Sequence, residues 1–158
     1  MRNLNRILGA ALTFALAAAS VSAFAGQYQN DKYGYKLDLP AIFAVPDDRE
    51  AGTVTIEAAN GATLTLTGAS GALNENAELR SRTGKAQSSG WTLIYPSIGP
   101  GYIIYAGEKS DQNFYEKAIT SCNGNRSVTL RVDYPDSAAG AILSGLDRTA
   151  TSLQSTSC

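Results

Sequence analysis

Histidine is the side chain most often used for acid–base chemistry near neutral pH, and this chain of 158 residues has none. Its absence removes Ser-His-Asp triads and Cys-His dyads. It also removes the commonest ligand for zinc, copper and non-haem iron. The two cysteines, Cys122 and Cys158, lie far apart rather than in a C-x-x-C pair. An even count in an exported chain favours a structural disulfide, and a bridged pair leaves no thiolate nucleophile. There is no G-x-S-x-G elbow, Walker A loop or G-x-G-x-x-G turn. Gly99-Pro100-Gly101 reads as a turn rather than a phosphate cradle.

Carboxylates, tyrosines and the single tryptophan are what remain. Asp47, Asp48 and Glu50 form the densest acidic group. They lack the alternating D-x-D-x-D spacing of a calcium loop, so a solvated acidic loop is expected. Asp136 stands where a helix should begin and is expected to cap it. Arg80, Arg82 and Lys85 form the closest basic set and read as a solvated helix end. Glu116, Lys117 and Arg131 fall in segments that should be neighbouring strands, where charge pairs contribute about 0.2–1 kcal/mol each. The sequence therefore predicts no catalytic residue, no cofactor and no metal site. Trp91 and most of the eight tyrosines lie in strand-like segments. Such residues serve sheets and binding surfaces alike. Trp91, Tyr95 and Tyr102, around the Pro-Gly turn, are the candidate binding surface.

The elements that must position these residues are legible from period and punctuation. Residues 26–32 read as a short lead. Tyr33–Pro40 alternates with the period of a strand. Thr53–Ala58 and Thr63–Gly68 are β-branched, alternating runs across Asn60-Gly61, which predicts a type I′ hairpin. Leu73–Thr83 predicts a weakly amphipathic helix, capped by Ser70 or Asn74 and stopped by Gly84. Four strand-like runs follow, Trp91–Gly99, Gly101–Ser110, Asn113–Cys122 and Arg126–Pro135. Turn chemistry at 99–101, 111–113 and 123–125 separates them into an antiparallel meander. In the last run Val128, Leu130 and Val132 point one way, and Thr129, Arg131 and Asp133 the other. A terminal helix places Ala139, Ile142, Leu143, Leu146, Ala150 and Leu153 on one stripe, with Asp136 or Ser137 as its cap.

The first 25 residues read as an export leader. Arg2 and Arg6 precede an apolar run from Ile7 to about Ala19, and Ala23-Phe24-Ala25 is an A-x-A cleavage signature. A run of about 13 residues is shorter than the roughly 20 that cross a bilayer. The expected mature chain, 26–158, is of single-domain size, periplasmic or secreted, with no membrane insertion after cleavage. Of 13 basic residues it loses Arg2 and Arg6, leaving 11 against 14 acidic ones. A weakly acidic domain with scattered cations has no electrostatic footprint for nucleic acid. Bridging Cys122 to Cys158 closes a loop of roughly 37 residues, a stabilisation of about 3–4 kcal/mol by chain entropy.

The order YGYKLDLP, the strand pair around ANGATLTLTG, a helix, paired strands ending NFYEKAI, then VTLRVDYP and a terminal helix ending in Ser-Leu resembles the PsbP-like family of exported bacterial proteins. The resemblance covers the whole expected mature chain. It implies an α+β fold, a central antiparallel sheet flanked by helices in an α-β-α sandwich. It also implies binding or assembly work rather than catalysis, and it transfers no functional residue. Two readings follow. One is a non-catalytic periplasmic binding or assembly module engaging a protein partner in the cell envelope. The other is a small envelope hydrolase or lyase using carboxylates and tyrosine.

Overall fold

The computed structural model describes residues 24–158. The predicted leader lies outside the described residues except for Phe24 and Ala25. In chain order the elements are β1 (Phe24–Asn30), β2 (Tyr35–Pro40), β3 (Thr53–Glu57), β4 (Thr63–Ser70), α1 (Glu75–Ser88), β5 (Thr92–Leu93), β6 (Ser97–Gly99), β7 (Tyr102–Lys109), β8 (Gln112–Ser121), β9 (Arg126–Pro135), α2 (Ala139–Ser152) and β10 (Gln154–Ser155). The large sheet runs β3-β4-β9-β8-β7-β5, with β6 also on β7, and a small sheet runs β1-β2-β10. Every pairing is antiparallel.

Alternation along β9 decides the layering. Val128, Leu130 and Val132 are buried in one core with Leu64 and Leu66 of β4, Tyr35, Leu37 and Leu39 of β2, and Ile142 and Leu146 of α2. Each such side chain stabilises the fold by about 1.5–3 kcal/mol. The opposite face of β9 carries Thr129 and Arg131, and Arg82 of α1 donates to the Thr129 hydroxyl. Successive strand residues point to opposite faces, so α1 and α2 cover opposite sides of the large sheet. The α+β sandwich expected from sequence is what the chain adopts.

Several local features differ from expectation, each for an identifiable reason. Residues 26–32 are mostly strand, not lead: β1 pairs along β2 from Gln27↔Asp38 to Asn30↔Tyr35. Its inward residues are Tyr28 and a fully buried Asn30, which hid the alternation. Asn30 is tolerated there because its amide is satisfied, donating to the Ala51 carbonyl at 3.0 Å and accepting from Tyr33 N–H at 2.9 Å. The β3–β4 hairpin has a three-residue loop rather than a two-residue type I′ turn. Gly61 N–H donates to Ala58 O at 3.0 Å, and only Gly61 of the loop has positive φ, at 83°. That is the type I turn plus left-handed glycine of a bulged hairpin.

Helix α1 starts where expected, with Asn74 accepting from Ala77 N–H at 3.2 Å, but it runs through Gly84 and ends before Gly90. A single glycine weakens a helix by about 1 kcal/mol without breaking it. The β7–β8 turn is Ser110-Asp111, one residue earlier than expected, with Ser110 at φ 55°. Helix α2 has no side-chain cap: Asp136–Ala138 form a 3-10 turn, and Asp136 accepts from Asn113 Nδ2 at 2.6 Å. Of the predicted stripe, Leu143 is exposed.

Cys122 and Cys158 form the expected disulfide, with Cα atoms 5.2 Å apart. The bridge packs on Gly34, whose φ is 59° and where an added Cβ would stand 2.8 Å from both Cys158 Sγ and the Thr156 carbonyl. Gly34→Ala is accordingly expected to destabilise by more than the roughly 1–2 kcal/mol of a left-handed alanine alone. Urea unfolding checks this, and a cost no larger than about 1–2 kcal/mol would mean that the C-terminal segment moves aside freely.

Candidate functional site

Helix α1 is an unusual wall for a sheet: it buries no residue of its own. Its apolar anchorage is limited to Leu73 and Leu79 against Ile103 and Ala118. Polar ties do the rest. Glu75 accepts from Gly101 N–H at 2.7 Å, and Lys109 Nζ donates to Ser89 O at 2.7 Å. At the centre, Arg82 bridges Glu78 on its own helix, at 2.9 Å, and Glu116 on β8, at 2.6 Å.

Glu116 is the hub. Its side chain is 7% exposed, and its second oxygen accepts from Arg131 at 3.1 Å. Glu116 and Arg131 face each other directly in the β8–β9 register. Arg131 also forks onto Asp133, with nitrogen–oxygen distances of 2.8 and 2.7 Å, and lies over the Phe114 ring at 4.2 Å. Burial works against the charge of both arginines. Hydrogen bonds to Glu116 and Glu78 outweigh it for Arg82, and those to Asp133 and Glu116 for Arg131, so both pKa values rise. Burial, then the adjacent Glu116 charge, raises the pKa of Tyr105 at the floor. Trp91 meets Phe114 edge-on at 4.9 Å. These residues, with Lys85 at the rim, enclose a groove of about 510 Å³.

A second groove, of about 450 Å³, lies on the other face of the sheet between α2 and β7–β8. Tyr95, Ile104, Ala106, Leu143 and Leu146 make its walls apolar. Tyr95 and Leu143 are 64% and 54% exposed. Lys117 reaches the Ala150 carbonyl at 2.6 Å, and burial lowers its pKa. Burial first, then Asp147 and Tyr95, pushes Tyr115 up to about 12.

The sequence-predicted surface is thus divided. Trp91 lines the polar groove, Tyr95 the apolar one. Tyr102 packs partly against the main core, its ring on Gly99, where a Cβ would meet it closely. Strand β5 is only Thr92–Leu93, with Trp91 before it and Tyr95 beyond it, so 91 and 95 do not share one strand face. Asp47, Asp48 and Glu50 stay on an exposed loop, with Asp48 accepting from Glu50 N–H at 2.8 Å. Sequence reasoning missed Arg82, read as a solvated helix end, and the role of Glu116. The detectable signal was a glutamate on the inward face of β8 between Phe114 and Ala118. Chemically, the polar groove holds two neighbouring carboxylates, Glu78 and Glu116, but Arg82 spans them and both oxygens of Glu116 accept guanidinium protons. The groove offers cation donors more than a free base.

No protein-family model matches the chain, and no curated protein matches it. Among solved structures it is similar to the solution structure of cyanobacterial PsbP from Synechocystis sp. PCC 6803. The TM-score is 0.56 at 14% identity, covering 90% of this chain and 98% of that one. It is also similar to the Saccharomyces cerevisiae Ran-binding protein Mog1p, with a TM-score of 0.55 at 8% identity, covering 83% of this chain and 95% of that one. Identity at this level speaks to architecture and leaves activity to be argued from the site. The antiparallel sheet between two helices, matched over nearly the full length of cyanobacterial PsbP, gives this chain a PsbP-like α+β fold.

Proposed function

We propose that this chain is a non-catalytic binding module that engages a protein partner in the cell envelope. The observation that carries the reading is the apolar groove between α2 and β7–β8. There Tyr95 and Leu143 stand exposed over a floor of Ile104, Ala106 and Leu146. Exposed aromatic and aliphatic side chains around a concave surface are what protein interfaces bury, with tyrosine prominent among the energetic hot spots. Lys117 and Asp147 at the same groove supply the polar points that would orient a partner. A fold shared with a Ran-binding protein supports binding as the use of this scaffold. The Cys122–Cys158 bridge and the expected leader support an oxidising compartment.

The test is a tagged pull-down from the native envelope, comparing the wild type with Tyr95→Ala/Leu143→Asp. A stoichiometric partner recovered by the wild type should lose about thirtyfold in affinity in the double variant, the effect of one hot spot of roughly 2 kcal/mol. Full retention of that partner by the variant would move the interface elsewhere. No partner at all, with a chain that stays monomeric, would end the reading.

A further inference from the structure

The polar groove on the α1 side is unused by the partner surface, which lies on the other face of the sheet, and it has the features of a ligand site in its own right. We infer that it binds a small molecule with an anionic head and a flat apolar body, an aryl phosphate or aromatic carboxylate. The head lies among Lys85, Arg82 and Arg131, and the body lies against Trp91.

Four observations support this. The groove, about 510 Å³, falls within the range of roughly 300–1,000 Å³ typical of small-molecule sites. Its donors are not exhausted: Arg82 uses Nε and Nη1 on Glu78, Glu116 and Thr129. No hydrogen bond among the described residues occupies its Nη2. Lys85, exposed at the rim of the groove, has no carboxylate partner among them either. The guanidinium planes are already fixed, Arg131 by its fork on Asp133 and its stack on Phe114, so ordering them costs a ligand little. Finally, the lining holds three cations, Arg82, Lys85 and Arg131, against two carboxylates, Glu78 and Glu116. Arginine forks match carboxylate and phosphate oxygens alike, and Trp91 gives a ring for a planar body to pack on.

Trp91 is the single tryptophan of the chain, so its emission reports on this groove alone. The disulfide-intact protein is titrated with phenyl phosphate and, separately, with benzoate; inorganic phosphate and phenol serve as controls. Saturable change in Trp91 emission is expected with phenyl phosphate, benzoate or both, and the pattern tells which head is preferred. Each control should bind about tenfold more weakly, the loss of roughly 1.4 kcal/mol when head or body is missing. Arg82 variants would loosen α1, so the deciding variant is Lys85→Gln, which should keep the wild-type melting temperature and bind about fivefold more weakly. Calorimetric titration gives the same comparison without relying on fluorescence. Three results would overturn the inference: no saturation with either probe, inorganic phosphate binding as tightly as phenyl phosphate, or unchanged affinity in Lys85→Gln.

Discussion

Replacing Cys122 or Cys158 by serine is expected to lower the free energy of unfolding by about 3–4 kcal/mol, on the loop-entropy account. The melting temperature should fall by on the order of 10 °C or more. The local structure makes the bridge matter beyond loop closure. The C-terminal segment is otherwise held by a two-residue ladder, Gln154↔Lys36 and Ser155↔Tyr35, and by Thr156 N–H on Gly34 O at 2.8 Å. At the other end, Cys122 and Asn123 both sit at positive φ, 53° and 54°. Left-handed conformations at such residues persist only where surrounding structure enforces them, and the bridge is part of that enforcement. Cutting it frees the tail and lets the turn relax. Urea unfolding with and without reductant, alongside Cys158→Ser, measures the effect. A change below about 1 kcal/mol would mean that β10 and the Gly34 contact hold the terminus unaided.

Glu116→Ala is expected to cost about 3 kcal/mol, near the low end for breaking a buried ion pair because both arginines keep some solvent contact. Two guanidinium groups would then face each other with no carboxylate between them. Arg131 would retain Asp133, whereas Arg82 would lose its only carboxylate on the sheet. Because α1 buries none of its own residues, the loss should appear first there. Amide exchange in α1 should accelerate more than in β8 or β9, a sub-global opening of the helix away from the sheet. Glu116→Leu combined with Arg82→Leu should cost less than the two single changes added, since the pair is removed together. If α1 kept its wild-type protection in Glu116→Ala, its attachment would rest on Leu73 and Leu79 instead.

Much of the scaffold is legible in the sequence. The β-branched alternation of Thr53–Glu57 and Thr63–Ser70, and the two-faced pattern of Arg126–Pro135, identify strands because a period of two is a direct consequence of the pleat. The apolar stripe of α2 is a local periodicity, and the cysteine pair follows from an even count of two. Absences were legible too: a chain without histidine cannot assemble sites that depend on it. Strand β1 escaped because half of its buried face is Asn30, whose burial is made acceptable by partners 2, 3 and 21 residues away.

The sites belong to the tertiary structure. Arg82 meets Glu116 across 34 positions, and Thr129 across 47; no local pattern encodes that meeting. Trp91 and Tyr95, four residues apart, look like one surface in sequence and serve two grooves on opposite faces, because the strand between them is only Thr92–Leu93 and both lie outside it. Sequence alone determined most of the elements, the pairing of the two cysteines and the exclusion of histidine-dependent sites, since those follow from residue type and short-range period. Which cations share a carboxylate, and which aromatics face which groove, only the packing of α1 and α2 on the two sides of the sheet decided, because those contacts join residues that nothing local relates.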